Sequence, residues 1–528
     1  MSLKLTNQEE LFTADKMMEK YLAPESPMKI FSEEIYPLFK DEDFKDMYSS
    51  KGRNGISPAF LAMVTLLQFR ESLSDVEAQN ACNMRIDWKI ALRKPLEEKI
   101  EFDPSTLCYF RRRLKENEAL SLIFDKMVQL AKEKGFIKKK TNQRVDATHV
   151  IAHVNRISTT DLLFRTVKCV VEELATKNPE LYEREVPEDV KERYENDFSS
   201  FGMSKEKRAT KQAEIVEDGL CLAAICDRLS DSERSAYVQL PIMEKIFEEN
   251  IVIRKKEVGS KIFIEVDEVE RPKQTIFNPR DPEVKMGIKG KTSWVGSKCH
   301  IVETSEEGTN IITDMIYQPA NQNDNKILDK LEANNERTGI DAGKLFCDSN
   351  YVSGESIAEY EVNGKKLMGY LQGESTVKPE GFRVTDFRID MEKRIAVCPA
   401  GHATSDFAEH SDDGIDIRFD KQKCQSCPYF DKCVGTGKEK KRRLHVTKYH
   451  KYIQERRNDQ KTHEFRSQMK VRARVEGTIS EAVRFHGLRF KKYKGAVGDA
   501  LQFYMTGAAI NLKRILRVLG AAANDGTA

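Results

Sequence analysis

The sequence lacks any run of 18 or more apolar residues, and its opening stretch, MSLKLTNQEELF, contains no apolar segment of the kind a secretory leader carries. Neither a membrane-spanning helix nor export is expected from it, and a cytoplasmic protein is the simplest expectation. Net charge is also nearly absent: 87 Lys and Arg stand against 85 Asp and Glu, a formal charge of +2. The overall balance therefore announces no polyanionic partner, and any such argument has to rest on local distribution. Cysteine is sparse and odd in number, 11 in 528 residues. Seven of them (Cys82, Cys108, Cys169, Cys221, Cys226, Cys299 and Cys347) stand singly in apolar surroundings, where free Cys behaves as a small hydrophobe. This pattern argues against a disulfide framework. A chain of this length has material for several cores, so more than one domain is expected.

What is present begins with helical patterning over residues 1 to about 125. In ISPAFLAMVTLLQFRESLSDVEAQNACNM, Ser57 is placed to cap and Pro58 to start a helix. In DPSTLCYFRRRLKENEALSLIFDKMVQLAKEKG, Asp103 and Pro104 repeat the device and open a helix carrying Arg111, Arg112 and Arg113. Two readings fit: a helix-turn-helix-like DNA-binding unit, or a helical bundle with a solvated basic edge.

After a lysine-rich stretch comes RVDATHV, a strand-like run with one carboxylate, Asp146, at its centre. Alone, Asp146 reads equally well as a turn cap. A long insertion follows, about 155–280, with helical patterns in TTDLLFRTVKCVVEELATK and EDVKERYENDFSSF and a strand in KIFIEVDEV. SKCHIVET and NIITDMIYQP, joined by SEEGT with Gly308, read as a hairpin. A helix in NDNKILDKLEANNERTG, the strand KLFCDSNY, a helix in SGESIAEYEVNG and a strand in KKLMGYLQG complete the order. A mixed α/β domain interrupted once accounts for it.

KLFCDSNY supplies a second acid, Asp348, at the carboxyl end of a strand and before a loop, where open α/β sheets build their sites. If Asp146 and Asp348 lie on adjacent strands, their charges repel unless a cation lies between them, and Mg²⁺ is the hard cation suited to phosphate chemistry. VRARVEGTISEAVRFHGLRFKKYKG offers a third acid: Arg472 and Glu476 are four apart and share a helix face, whereas Glu481, five further on, points elsewhere. An ordinary surface pair has the same spacing. Between 437 and 495 there are 19 Lys or Arg against 6 Asp or Glu, with aromatics interleaved, so contact with nucleic acid is expected here. The candidate contacts are Arg111, Arg112 and Arg113 in the N-terminal part, with Lys440, Lys441, Arg442, Arg443, Arg472, Arg489, Lys491 and Lys492 in the basic stretch.

Four further cysteines cluster. VCPAGH holds Cys398, and KCQSCPYFDKC holds Cys424, Cys427 and Cys433, the spacing of a structural four-thiolate Zn²⁺ site. His402 and His410 are alternative ligands, and four reduced surface thiols are the competing reading.

The blocks VDATHV, NPRDPEVKMGIKGKTSWVGSKCHIV, CDSNYVSGES and RARVEGTISEAVRFHGLRFKKYKG, with the helical GISPAFLAMVTLLQFRESLSDVEAQNACNMRIDWKIALRKPLEEKIEFDPSTLCYFRRRL, resemble DDE transposases of bacterial insertion sequences. The resemblance is to the IS4/IS5 superfamily and most closely to its IS1182 group. It covers nearly the whole chain apart from the insertion and the tail. It implies an RNase H-like catalytic core over 140–372 and 455–520, a helical DNA-binding domain over 1–135, and an insertion at 373–454 holding the cysteines and part of the basic segment. It also implies that Asp146, Asp348 and Glu476 bind two Mg²⁺ (or Mn²⁺) ions, with Asp146 bridging both, for hydrolysis and strand transfer. The signature around the glutamate is Tyr, two residues, Arg, three residues, Glu, six residues, Lys. Arg472 and Glu476 match it, Met469 and Val483 depart from it, and Arg484 or Arg489 could take the place of the missing lysine. The implied partners are double-stranded DNA, as transposon ends and target, and further copies of the chain in a dimer or higher multimer, working near the bacterial nucleoid. A metal-dependent nuclease without strand transfer and a transposase-derived DNA-binding regulator are the alternatives.

Overall fold

Ser57 caps the first long helix as its spacing predicts: its side-chain oxygen accepts from the Phe60 amide at 3.1 Å, and Pro58 opens α1 (Pro58–Glu71). In the computed structural model the described residues are 22–48, 55–152, 157–258, 261–269, 275–374, 380–411, 413–434 and 440–525. MSLKLTNQEELF and residues 437–439 of the basic stretch lie outside them. Helix α1 is buried on nearly every side, as its unbroken apolar sequence requires. A capping box of Ser74 and Glu77 starts α2 (Asp75–Met84). The Asp103 carboxylate accepts from the Ser105 amide at 2.8 Å and starts α3 (Ser105–Glu116), which α4 (Leu122–Glu133) follows.

The chain then enters β1 (Lys140–Ile151), the centre of a mixed sheet. The insertion folds around its own apolar cluster from α5 (Thr159–Lys177), α6 (Lys205–Cys226) and α7 (Gln239–Asn250), with the hairpin β2 (Ile251–Val258) and β3 (Lys261–Glu268). Here β3 is the expected strand; β2 was hidden by the charged run RKKE. EDVKERYENDFSSF is helical only over Glu188–Glu195.

The main sheet continues with β4 (Lys285–Lys289), β5 (Thr292–Thr304) and β6 (Ile312–Pro319), then α8 (Leu328–Thr338), β7 (Asp341–Phe346), α9 (Gly354–Val362) and β8 (Lys366–Met368). Its order is β4-β5-β1-β7-β8, with β6 also paired to β5. The β5–β6 hairpin forms as expected, and Gly308 turns it at φ 104°. β4 was not anticipated: Gly287 breaks its pattern because the Trp294 ring fills the space a side chain would take. β1 runs antiparallel to β5 and parallel to β7, and β7 parallel to β8, so the sheet is mixed as expected.

Two small three-stranded sheets follow, β9 (Arg388–Asp390) to β11 (Ala403–Thr404) through β10 (Ile395–Val397), and β12 (Phe407–Glu409), β13 (Gly414–Arg418) and β14 (Arg443–Thr447). They share one apolar cluster around Phe387, Ile417 and Phe419. The last elements are α10 (His450–Asp459), α11 (Val475–Phe485) and α12 (Gly495–Asp525). Helix α12 packs on β6, α1 and α4. Its Gly507 allows this, since a Cβ there would stand 2.8 Å from the Phe124 ring and 2.9 Å from Met315. One core therefore contains Leu66 and Phe124 of the N-terminal helices, Ile301 and Met315 of the sheet, and Leu512 of α12. Among the described residues no helix is long and apolar enough to cross a membrane.

Candidate active site

Two residues beyond the last registered pair of β1 and β7, Arg144 with Phe346, the parallel strands bring Asp146 and Asp348 side by side at the carboxyl end of β7. Asp348 is fixed by an Asx turn in which its carboxylate accepts from the Asn350 amide at 2.9 Å. Beneath this loop Tyr351 is buried, and its hydroxyl bonds His300 Nδ1 at 2.6 Å while His300 Nε2 meets Gln318 at 3.0 Å. The loop thus hangs from β5 and β6 as well as from β7.

Arg472 brings in the third acid. Its Nη2 lies 2.9 Å from Asp146 Oδ2, and its Nη1 lies 4.0 Å from Glu476 Oε1. Residues 470–474 form a 3₁₀ turn rather than the start of the helix, and Glu476 sits in the first turn of α11. The predicted shared face survives because the turn runs straight into the helix. The guanidinium thus lies between the Asp146 and Glu476 carboxylates. Burial pushes the Asp146 pKa above the ordinary carboxylate range, outweighing Arg472 and the Ala147 amide, which pull it down; the Asp348 charge adds to the rise.

A buried network that the sequence reading missed holds these parts in register. Arg144 and Glu303 are both buried and paired at 2.7 Å. Glu303 also accepts from Thr478 of α11 at 2.8 Å and from Arg514 of α12 at 2.9 Å. Arg144 Nη1 donates to the Val471 carbonyl at 3.2 Å, one residue before Arg472. The available signal was period two: Arg144 and Asp146 share a sheet face, so an arginine two residues before the acid points toward the same elements. Glu481, set aside on helical geometry, does turn away, to Lys513 at 2.7 Å.

Residues 397–516 match the family model described as Transposase DDE domain, and residues 17–113 match the one described as Transposase domain (DUF772). These matches support a DDE transposase. The first contains Arg472, Glu476 and the four clustered cysteines, while Asp146 on β1 and Asp348 in the loop after β7 lie before it. No curated protein and no solved structure matches the chain.

The expected DNA contacts of this chain divide by burial. Arg111 is buried against Asp75 at 2.6 Å, Arg442 is buried and donates to the Cys433 and Phe382 carbonyls, and Lys491 is buried between Asp281 at 2.7 Å and Asp499 at 3.2 Å. The structure places these three inside the protein, where each is tied to a protein partner, rather than on a face open to a polyanion. Arg112 and Arg113 are exposed, over the Tyr109 and Tyr48 rings. Lys440 is exposed, Lys441 half-buried, and Arg443 is tied to Asp416 together with His410 and His445. Arg489 donates to the His149 carbonyl at 2.7 Å, and Lys492 lies over Phe69. Met469, at the signature's Tyr position, is a core residue beside Phe346, Met368 and Phe465.

Cys398, Cys424, Cys427 and Cys433 line one cavity with His402, whose amide approaches Cys398 Sγ at 3.3 Å. Burial, with the other thiols adding, pushes the Cys433 pKa up to about 11. His410 is engaged with Asp416 at 2.6 Å instead. Among the described residues no group of three or more His, Cys, Asp or Glu side chains is arranged to hold a metal ion, which applies to the carboxylates and to the thiols alike. The donor chemistry differs between the two sets: the carboxylates of Asp146, Asp348 and Glu476 are hard oxygen donors, and the four thiols are donors of the kind zinc takes.

Proposed function

We propose that this chain is a transposase that binds the terminal inverted repeats of an insertion sequence and catalyses DNA cleavage and strand transfer. The single observation that carries the reading is the meeting of Asp146, from the middle of β1, and Glu476, from a helix, on Arg472, with Asp348 after β7 near enough to act on the Asp146 charge. The mixed sheet, with its helical crossovers into parallel strands, supports an RNase H-like core. Divalent ions, Mg²⁺ or Mn²⁺, bound by Asp146, Asp348 and Glu476 would supply activation of the attacking oxygen and stabilisation of the leaving one. The chain's own residues hold the scissile phosphate and set the line of attack. Arg472, between Asp146 and Glu476, would hold the phosphate backbone beside the acids, and Glu303 keeps α11 and β1 at fixed separation. Arg112, Arg113, Lys440 and Lys492 are exposed cations of the predicted set and meet DNA. Paired ends call for a dimer or higher multimer.

We further propose that Cys398, Cys424, Cys427 and Cys433 hold a structural zinc ion that joins the loop after β10 to the turns before β14. Support comes from four thiols, one after β10 and three from the segment 424–433, lining one cavity.

The test uses duplexes carrying the DNA that flanks the gene. Mg²⁺-dependent nicking at the element's ends is expected, absent from Asp146→Asn and Glu476→Gln, with joining of a pre-cleaved end to a target duplex. Nicking without joining would favour the nuclease reading, and neither would leave a DNA-binding regulator.

A further inference from the structure

Beyond the acids, the end of β1 opens on a second concavity. A cavity of about 480 Å³ lies where the insertion meets the sheet and α12. Its lining includes six cations, Arg165, Lys168, Arg280, Lys491, Lys492 and Lys494, against two carboxylates, Asp197 and Asp281. Both sides are built deliberately. The segment 489–491 runs beside the end of β1, with Ile151 donating to the Arg489 carbonyl at 2.8 Å and Lys491 to the Ile151 carbonyl at 3.0 Å. That pairing draws the KKYK run along one wall, and α5 supplies Arg165 and Lys168 on the other.

The charges inside are incompletely matched. Lys491 is spent on Asp281 and Asp499, and Arg280 on Glu172 at 2.7 Å. Lys168 is only 12% exposed, yet its partner Asp197 is 99% exposed and free to swing into solvent. Arg165 and Lys494 enter no ion pair among the described residues. A lined recess that concentrates cations at low dielectric focuses an attractive field on anions.

We propose that this cavity seats backbone phosphates of the DNA strand whose cleavage occurs at Asp146, with Arg165, Lys168 and Lys494 as the contacts. The inference rests on the transposase reading and deepens it by assigning the insertion a place on the substrate. Ala152, in the lining, is six residues along β1 from Asp146, roughly 20 Å at about 3.3 Å per residue. At about 3.4 Å per nucleotide in B-form DNA, a strand reaching from the acids to the cavity seats its phosphate about six nucleotides from the cut bond. The insertion thus lengthens the footprint on one side of the cleavage position.

The decisive comparison is between Arg165→Glu/Lys494→Glu and a control, Lys205→Glu/Arg208→Glu, which carries the same charge change on exposed positions of the N-terminal region of α6. Binding of the full-length chain to an end-derived duplex is followed by fluorescence anisotropy in EDTA at several salt concentrations. The first variant is expected to bind at least ten-fold more weakly, with the slope of log K against log salt reduced by about 1.8, about 0.9 for each lost phosphate contact. The control is expected to keep the wild-type slope. Equal losses in both variants, or an unchanged slope in the first, overturn the proposal while leaving the transposase reading intact. A wild-type chain that binds no DNA removes both. Inorganic phosphate at the same phosphate concentration is expected to displace nothing, and displacement would mark a small-anion site instead.

Discussion

Arg472 and Asp146 are 326 positions apart in the chain and 2.9 Å apart in the fold, which ties the β1 acid to the turn that runs into the helix carrying Glu476. Burial nevertheless disfavours the Asp146 charge more than this ion pair favours it. With its pKa raised on folding, the folded state binds more protons than the unfolded state above the unfolded value, so ionised Asp146 subtracts stability at neutral pH. Asp146→Asn should therefore abolish cleavage, keep DNA binding, and leave the melting temperature unchanged or higher at pH 7. A lower melting temperature for Asp146→Asn would contradict this balance.

Removing the guanidinium acts in the opposite sense on the acid. Arg472 is one of the groups pulling the Asp146 pKa down, so Arg472→Gln should raise it further. The acidic limb of the cleavage-rate profile is then expected to move to higher pH, with activity partly recovered in alkaline buffer. A uniform loss at every pH would show that Arg472 acts only by contacting DNA.

Glu303 is the group on which Arg144, Thr478 and Arg514 converge, and it has no exposure to solvent. Glu303→Ala leaves Arg144 charged, buried and without its carboxylate, which costs about 3–5 kcal/mol. Urea denaturation should show that loss, whereas a shift under about 1 kcal/mol would mean that solvent reaches Arg144.

Gly296 stands opposite Ile151 where β5 crosses β1, and a Cβ there would overlap the Val150 carbonyl oxygen. Gly296→Ala should force the two central strands apart and give little soluble protein. Wild-type yield and melting temperature would show that the strand pair is looser than its register indicates.

If the four clustered cysteines hold zinc, elemental analysis of freshly purified protein should find about one zinc per chain, and Cys424→Ser/Cys427→Ser should lose it. Four thiols that react at once with a thiol reagent in untreated wild-type protein, with no zinc released, would exclude that site.

Much of the frame was legible in the sequence. Ser57 with Pro58 marked a helix start because a side-chain oxygen and a missing N–H suit that position locally, and the β5–β6 hairpin followed from alternation around Gly308 for the same local reason. Asp146, Asp348 and Glu476 were each identifiable, as an acid within a strand, an acid at a strand end and an acid on a helix face. β2 and β4 were not, since charges in one and Gly287 in the other mask the alternation, and only their partners make them strands.

What tertiary structure alone decided is which charges are available. Arg111, Arg112 and Arg113 are equivalent as letters, yet successive helical positions are about 100° apart, so one is buried on Asp75 while two face solvent. Lys491 and Lys494 belong to one basic run, but the pairing of residues 489–491 with β1 buries the first between two aspartates and leaves the second on a cavity wall. The sequence by itself determined the supply of acids, thiols and cations and the elements that bear them. Their gathering around Arg472, the Glu303 network beneath it and the sorting of spent from available cations depend on contacts across hundreds of residues, which no local pattern encodes.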